Sequence, residues 1–260
     1  MAEFFGKPTW GKPQGAYSWQ HLLFVAVLLI TMVGLAVLLG LKNKNKEENV
    51  KNKVLIWAAF LIDGFELFKI AFNLGASKDA SSWKRDLPLF LCSIQLIAIP
   101  LAAFSKGKLR EASLDFVFIF GILGAVLGTI GQVRNFNMYP VLSFPNIVSG
   151  ITHSISGFAS LYIVISGMES MKIKNLPIVL GILTASCILA YVANVTLDYN
   201  YMFLMYHDGT PYQMFYDLVG GSPVLYPLIV VLLFFAYIFA FTYIYNLIKN
   251  KVEKNKECLQ

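Results

Sequence analysis

The hydrophobic residues of the chain fall in long blocks, each about as long as a helix that crosses a bilayer. Such a helix needs roughly 20 consecutive apolar residues, and its backbone groups must bond within the segment because lipid offers them no partner. The blocks lack the alternation of a membrane β-barrel. The pattern predicts an all-α protein, a bundle of seven transmembrane helices near His21–Leu41, Val54–Ala76, Leu87–Ser105, Leu114–Gln132, Phe144–Met168, Leu176–Thr196 and Val224–Ile248.

Composition agrees with this reading of the pattern. Hydrophobic residues make up 57% of the 260 residues and charged residues 14%, whereas roughly a quarter of a typical soluble domain is charged. The connections between the blocks are short and no internal repeat is visible. We therefore expect a single transmembrane domain over residues 21–248, preceded by an extracellular segment (1–20) and followed by a cytoplasmic basic tail (249–260).

Lysine and arginine are divided unevenly between the two predicted sides. Of 21 such residues, 14 lie in the first, third and fifth connections and the tail. Positive charge marks the cytoplasmic side of a membrane protein, so the amino terminus is expected outside and the carboxyl terminus inside. The basic run Lys42–Lys53 then contacts lipid headgroups, and no nucleic-acid partner is expected. The predicted location is the cell membrane, with several passes.

The sequence offers no pattern typical of a metal or cofactor site. The three cysteines, Cys92, Cys187 and Cys258, form no disulfide framework, and no Cys/His pair has zinc-ligand spacing. No Gly-rich phosphate loop is followed by Lys-Ser/Thr. We expect no metal and no other cofactor.

The second predicted helix (helix 2, Val54–Ala76) carries polar residues at positions expected to lie within the membrane. They are Asp63, Glu66, Lys69 and Asn73, and their spacing of three and four residues places them around one broad face. Ionisable groups at membrane depth are costly and are functional candidates by default. The alternative is structural, since Glu66 and Lys69 can neutralise each other as an ion pair.

Orientation places the polar residues of several helices at similar depth. Helices 3 and 5 both enter from outside, with Cys92 about 8 Å deep and His153 about 14 Å deep at 1.5 Å per residue. Helices 2, 3, 4 and 6 bring their own polar residues to the same outer half. We therefore predict a pocket open toward the outer leaflet, with polar support from Gln95, Asn194, Lys69, Glu66, Asp63, Asn73 and Gln132.

A thiol and an imidazole at matched depth point to covalent acyl transfer. The histidine takes the thiol proton, and the thiolate attacks a carbonyl. Gln95, Asn194 or Lys69 can stabilise the developing oxyanion. The expected partner is a membrane lipid or acyl-lipid substrate; the oligomeric state is not predicted.

Several motifs resemble the YwaF-type family of bacterial integral membrane proteins. They are Tyr17-Ser18-Trp19-Gln20-His21, the run from Leu87 to Ser93, the helical His153 and the run from Asn200 to Leu204, and the similarity spans Tyr17 to about Tyr245. A vertebrate branch of that family is regarded as a phospholipid acyltransferase. The resemblance implies that Cys92 is a nucleophile and His153 its partner. It also implies a fold like that of membrane hydrolases of fatty-acid esters, which use threonine and histidine.

The segment Asp198–Pro223 is the longest predicted external stretch and is rich in aromatic residues. Asn200, Tyr201 and Tyr206 lie in it. One interpretation is an interfacial aromatic belt; the other is a partly re-entrant lid that admits a lipid laterally.

Two other classes of function remain open from the sequence. A small-solute transporter or substrate-binding membrane subunit would use the charged face of helix 2. A non-enzymatic membrane receptor or scaffold would need none of the polar residues for chemistry.

Overall fold

The computed structural model describes residues 12–76, 83–84, 87–169 and 171–257. Within these ranges all regular structure is helical, which confirms the all-α prediction. The α-helices are α1 (Trp19–Asn43), α2 (Glu48–Ala76), α3 (Gln95–Phe104), α4 (Gly107–Thr129), α5 (Val133–Met138), α6 (Phe144–Ser166), α7 (Leu176–Leu197), α8 (Gln213–Leu218) and α9 (Leu225–Glu257). The 3₁₀ turns include Cys92–Ile94, Ile173–Asn175 and Tyr201–Phe203. Residues 1–11 of the predicted extracellular segment and the end of the basic tail, with Cys258, lie outside the described residues.

Among the described residues, five helical stretches are long and apolar enough to cross a membrane. They are Trp19–Asn43, Gly107–Met138, Phe144–Ser166, Ile173–Leu197 and Leu225–Val252. A multi-pass membrane protein is therefore confirmed, while the count of seven stays a prediction. The two other predicted crossings are α2, whose 29 residues include several charges, and the short apolar helix Cys92–Phe104.

The third predicted block differs from its prediction at its start. Helical structure begins at Cys92 rather than at Leu87. Pro88 has no backbone N–H and disfavours helical geometry in the residue before it, which accounts for the non-helical run ahead of Cys92. As a result Cys92 lies at the amino-terminal end of a helix instead of one turn inside it.

The chain divides into two compact units, Met1–Glu169 and Ser170–Gln260. In the first unit α6 packs against α1, α2 and α4, and α3 forms a tight hairpin with α4. Small residues allow this close approach. A Cβ on Gly157 of α6 would lie 2.6 Å from the Cβ of Ala125 on α4 and would overlap Met32 on α1.

Polar contacts fasten one end of the first unit, where α2 begins and α3 turns into α4. Arg110 donates from Nη1 to Glu48 at 2.6 Å and from Nη2 to Asn52 at 3.2 Å. Asn52 in turn donates to the carbonyl of Ala103 at 2.8 Å. The Tyr162 hydroxyl of α6 donates to the carbonyl of Lys51 at 3.0 Å. These bonds fix the order of the helices at the end that the charge pattern predicts to be cytoplasmic.

In the second unit α7 packs against the turn Tyr201–Phe203 and against α9. Asp198 ends α7 in a left-handed conformation, with φ 52°. Met202 and Phe203 are also left-handed, with φ 55° and 58°. Non-glycine residues adopt this conformation only where other contacts hold them there, and the asparagines described below supply those contacts.

Candidate active site

His153 lies near the middle of α6, with its ring packed against α4. The ring occupies the space above Gly128, and a Cβ at that position would overlap it. The Nδ1 atom lies 2.7 Å from the carbonyl oxygen of Ser149, one turn earlier in the helix. A carbonyl can only accept, so Nδ1 carries the proton and donates it. The other ring nitrogen, Nε2, is then left with its lone pair available.

Cys92 meets this histidine from the start of the short helix Cys92–Phe104. Its thiol is half-buried and makes side-chain hydrogen bonds with His153 and with the hydroxyl of Ser93. Because Nδ1 donates to Ser149, Nε2 is the ring nitrogen that can accept from the thiol. The position at a helix amino terminus adds partial positive charge, which favours a thiolate. This geometry allows the imidazole to take the thiol proton.

Lys69 supplies a positive charge that acts on this pair. Its ammonium acts electrostatically on both Cys92 and His153. It also forms an ion pair with Glu66 of its own helix, with Nζ 2.6 Å from Oε1. Asp63 is half-buried one turn before Glu66 and Asn73 one turn after Lys69. The structure thus contains the ion pair weighed as the alternative for helix 2, and one member of that pair lies within electrostatic reach of the thiol.

Gln132, just beyond the end of α4, reaches the histidine through Ser149. The Ser149 hydroxyl is 3.0 Å from Nε2 and 3.2 Å from Oε1 of Gln132, and 3.3 Å from Nδ1 of His153. Asn135 donates to Gln132 Oε1 at 3.0 Å. This chain of bonds orients the side chains behind the imidazole. Sequence reasoning missed Ser149 and Asn135, although the offset of four between Ser149 and His153 was a readable signal.

Gln95, one turn after Cys92, is fully buried. Neither its Nε2 nor its Oε1 has a hydrogen-bond partner among the described residues. The same holds for the buried hydroxyl of Ser156, one turn after His153 on α6. Most buried polar atoms in proteins are paired, so two unpaired groups beside a Cys/His contact stand out.

The remaining predicted site residues lie in the second unit, where they fasten a loop. Asn194 donates to the carbonyl of Tyr201 at 3.0 Å and accepts from its N–H at 2.6 Å. Asn200 donates to the carbonyl of Tyr206 at 2.8 Å and accepts from Met205 N–H at 3.0 Å. Tyr201 is fully buried and Tyr206 is exposed. Both atoms of each amide are thus engaged with the loop backbone, and the lid interpretation stays a prediction.

The second cysteine within the described residues has a different setting. Cys187 is buried on α7, and its thiol contacts the sulfur of Met202 at 3.8 Å. A thioether is a weak acceptor and not a base, so this thiol has no proton acceptor comparable to His153.

His21, from the amino-terminal motif, is fully buried at the start of α1. Its Nδ1 accepts from the N–H of Tyr17 at 2.9 Å, and its Nε2 lies 3.2 Å from the carbonyl of Thr129. The ring stacks on Phe136, with centroids 3.8 Å apart. Ser18 caps the helix by accepting from the N–H of His21 at 3.3 Å. Both ring nitrogens therefore bond to backbone, and the Ser-x-x-His motif builds a connection between α1 and α4.

Within the described residues, no group of three or more His, Cys, Asp or Glu side chains could hold a metal ion. The model of the TMEM164 family matches residues 16–245 of the chain. No curated protein and no solved structure matches it.

Proposed function

The chain belongs to the TMEM164 family of membrane proteins, and from that premise we propose that it is an enzyme that transfers or hydrolyses the acyl group of a membrane lipid. Cys92 is the nucleophile and His153 the general base. The acyltransferase relation implied by the YwaF-type resemblance is part of this proposal.

One observation carries the proposal. The Cys92 thiol hydrogen-bonds with His153, while the Ser149 carbonyl holds the opposite ring nitrogen at 2.7 Å. A nucleophile, a base within hydrogen-bond reach and a third group that orients the base make up the arrangement typical of activated nucleophiles. A cysteine that served only to fill space would need no such partner.

The acylation step follows from this arrangement. Nε2 of His153 takes the thiol proton as the sulfur attacks the ester carbonyl carbon, and the C=O electron pair moves onto oxygen. The tetrahedral intermediate collapses, the ester C–O bond breaks, and the imidazolium returns its proton to the departing alcohol. The products are a Cys92 thioester and a lysolipid. An acceptor alcohol, or water, then gives its proton to His153, attacks the thioester and releases the thiol.

Lys69 supports the same chemistry by charge. A cation within reach of the sulfur stabilises the negative charge that develops on the thiolate and on the oxyanion. Glu66 moderates this effect by pairing with the ammonium. We assign Lys69 an electrostatic role, Asp63 and Asn73 supporting roles around it, and Gln132 a supporting role behind His153 through Ser149.

The membrane setting accounts for a lipid substrate. We propose seven crossings with the amino terminus outside, because 14 of the 21 basic residues then lie on the cytoplasmic side. In that orientation the Cys92–His153 pair is in the outer half of the bilayer, where the acyl chains of outer-leaflet lipids lie. The protein would then act at the cell membrane.

Turnover of a phospholipid with a fluorescent acyl chain, by the full chain in vesicles, tests the proposal. We expect Cys92→Ala and Cys92→Ser to abolish turnover, while Cys187→Ala, the matched control on α7, leaves it unchanged. Full turnover in both Cys92 variants would reject the proposal.

The same variants separate the other classes of function. Solute uptake that is lost in Glu66→Gln but kept in Cys92→Ala would favour a transporter. A binding or signalling phenotype that survives loss of Cys92, His153 and Glu66 together would favour a receptor or scaffold.

A further inference from the structure

Two buried polar side chains beside the Cys92–His153 pair have no hydrogen-bond partner within the part of the chain that the structure describes. They are the carboxamide of Gln95, 0% exposed, and the hydroxyl of Ser156, 3% exposed. A buried donor without a partner is destabilising, and an apolar residue of similar shape would avoid the cost. A site where a ligand supplies the missing partner is one reason for such donors to be retained.

The helix directions place both groups on one side of the pair. The turn at Ser105 and Lys106 makes α3 antiparallel to α4. Helix α4 is antiparallel to α6, because Gly128 lies against His153 whereas Gly121, earlier in α4, lies against Ser156 and Ser160. Helices α3 and α6 therefore run parallel.

Because α3 and α6 run parallel, an equal offset in sequence moves along both helices in the same direction. Gln95 follows Cys92 by three residues and Ser156 follows His153 by three, so each lies about 5 Å along its helix from the reacting pair, on nearly the same face. An amide with two N–H donors and a hydroxyl with one thus lie on the same side of the reacting pair, away from the non-helical run that precedes Cys92.

We propose that Gln95 and Ser156 bind the carbonyl oxygen of the substrate and stabilise its oxyanion, which makes the substrate a carboxylic ester. This rests on the proposed function. Both donors are uncharged, which suits a carbonyl oxygen that acquires one negative charge during reaction. A phosphate ester carries charge in its ground state and calls for unpaired cations, whereas Lys69 is paired with Glu66.

Two reactions of Cys92 in the purified full chain test this assignment. A p-nitrophenyl fatty ester acylates the thiol through an oxyanion intermediate and releases a burst of p-nitrophenol. Iodoacetamide alkylates the same thiol by direct displacement, in which no oxyanion forms. We expect Gln95→Leu to slow the burst by about 10²–10³-fold and Ser156→Ala by about tenfold or more. Alkylation should stay within about twofold of wild type in both.

Ser113→Ala is the matched control. Ser113 is another buried hydroxyl without a partner among the described residues, but it lies about 22 Å along α4 from Gly128 at 1.5 Å per residue. It should leave the burst and the alkylation rate unchanged. The melting temperature of Gln95→Leu should equal or exceed that of wild type, which separates a contact with substrate from a role in folding.

The outcomes distinguish the two proposals. A burst that requires Cys92 but is normal in Gln95→Leu and Ser156→Ala would overturn the carbonyl-binding assignment and leave the enzyme standing. A parallel loss of burst and alkylation in Gln95→Leu would also overturn it, because Gln95 would then act on the thiol itself. Absence of a Cys92-dependent burst in the wild type would overturn both.

Discussion

The two buried histidines of the first unit, His21 and His153, lie against consecutive residues of α4 and differ in what their nitrogens meet. Thr129 offers a backbone carbonyl to His21, whose other nitrogen accepts from Tyr17 N–H. Gly128 leaves room for the His153 ring, whose Nδ1 bonds to the Ser149 carbonyl and whose side chain interacts with the Cys92 thiol. When backbone engages both nitrogens, a histidine holds helices together; when it engages only one, the other is available for chemistry.

The largest expected effect comes from exchanging the two rings for smaller side chains. His153→Ala should lower acyl transfer by about 10²–10⁴-fold, the usual contribution of a general base. His21→Ala should leave the activity of each folded molecule nearly intact but destabilise the protein by about 2–4 kcal/mol, because it removes two buried hydrogen bonds and a ring stack. Turnover per folded molecule and thermal unfolding, measured on both variants, check the comparison. Equal loss of activity in both variants would contradict the difference in role between His21 and His153.

Filling the space under His153 should have the next largest effect. Gly128→Ala places a methyl group where the ring lies, and displacement of a reacting group by about 1 Å can cost 10²-fold in rate. Gly34→Ala on α1 is the control, since a Cβ there would meet no atom within 4 Å. Turnover in Gly34→Ala should stay near wild type. Normal activity in Gly128→Ala would show that the ring position does not matter.

A smaller effect is expected from the charge near the pair. Lys69→Met removes the ammonium but leaves Glu66 without its partner, so turnover should fall by roughly 10–100-fold. The double change Lys69→Met with Glu66→Gln removes both charges and should recover part of that loss. The iodoacetamide rate of Cys92 at fixed pH reads the effect directly. A rate that is the same in all three proteins would remove Lys69 from the account.

The smallest effect is predicted for the side chains behind His153. Ser149→Ala keeps the backbone carbonyl that holds Nδ1 and removes only the hydroxyl that links to Gln132. Loss of one hydrogen bond of about 1 kcal/mol corresponds to roughly fivefold in rate. The single-turnover acylation rate resolves such a change. A loss as large as that of His153→Ala would mean that the hydroxyl, not the carbonyl, orients the ring.

The sequence predicted those parts of the fold that depend on the length of the apolar segments. The helices around Trp19–Asn43, Phe144–Ser166 and Leu176–Leu197 coincide closely with the predicted blocks, because lipid exposure imposes a minimum length. The start of helix 3 was missed although Pro88 signalled it. The division into two compact units has no composition signature, since it depends on which helix faces pack together.

The candidate site was only partly predictable. Depth in the membrane predicted Cys92 and His153 as a pair, and their side chains interact in the structure, while their catalytic role stays a prediction. It also named Asn194, whose amide instead holds the loop at Tyr201. An amide in a membrane helix looks the same in sequence whether it binds its own backbone or faces a ligand. Ser149 and Ser156 were missed because serine is common in membrane helices, and only packing distinguishes those two from the others.

The proposed mechanism requires that Cys92, activated by His153, forms an acyl intermediate. Mass analysis of peptides from the full chain, quenched during turnover of an ester substrate, tests it most directly. We predict a hydroxylamine-labile acyl group on Cys92, no acyl group on Cys187, and loss of the adduct in His153→Ala. Turnover that proceeds without an adduct on Cys92, or an adduct of equal yield in His153→Ala, would contradict it.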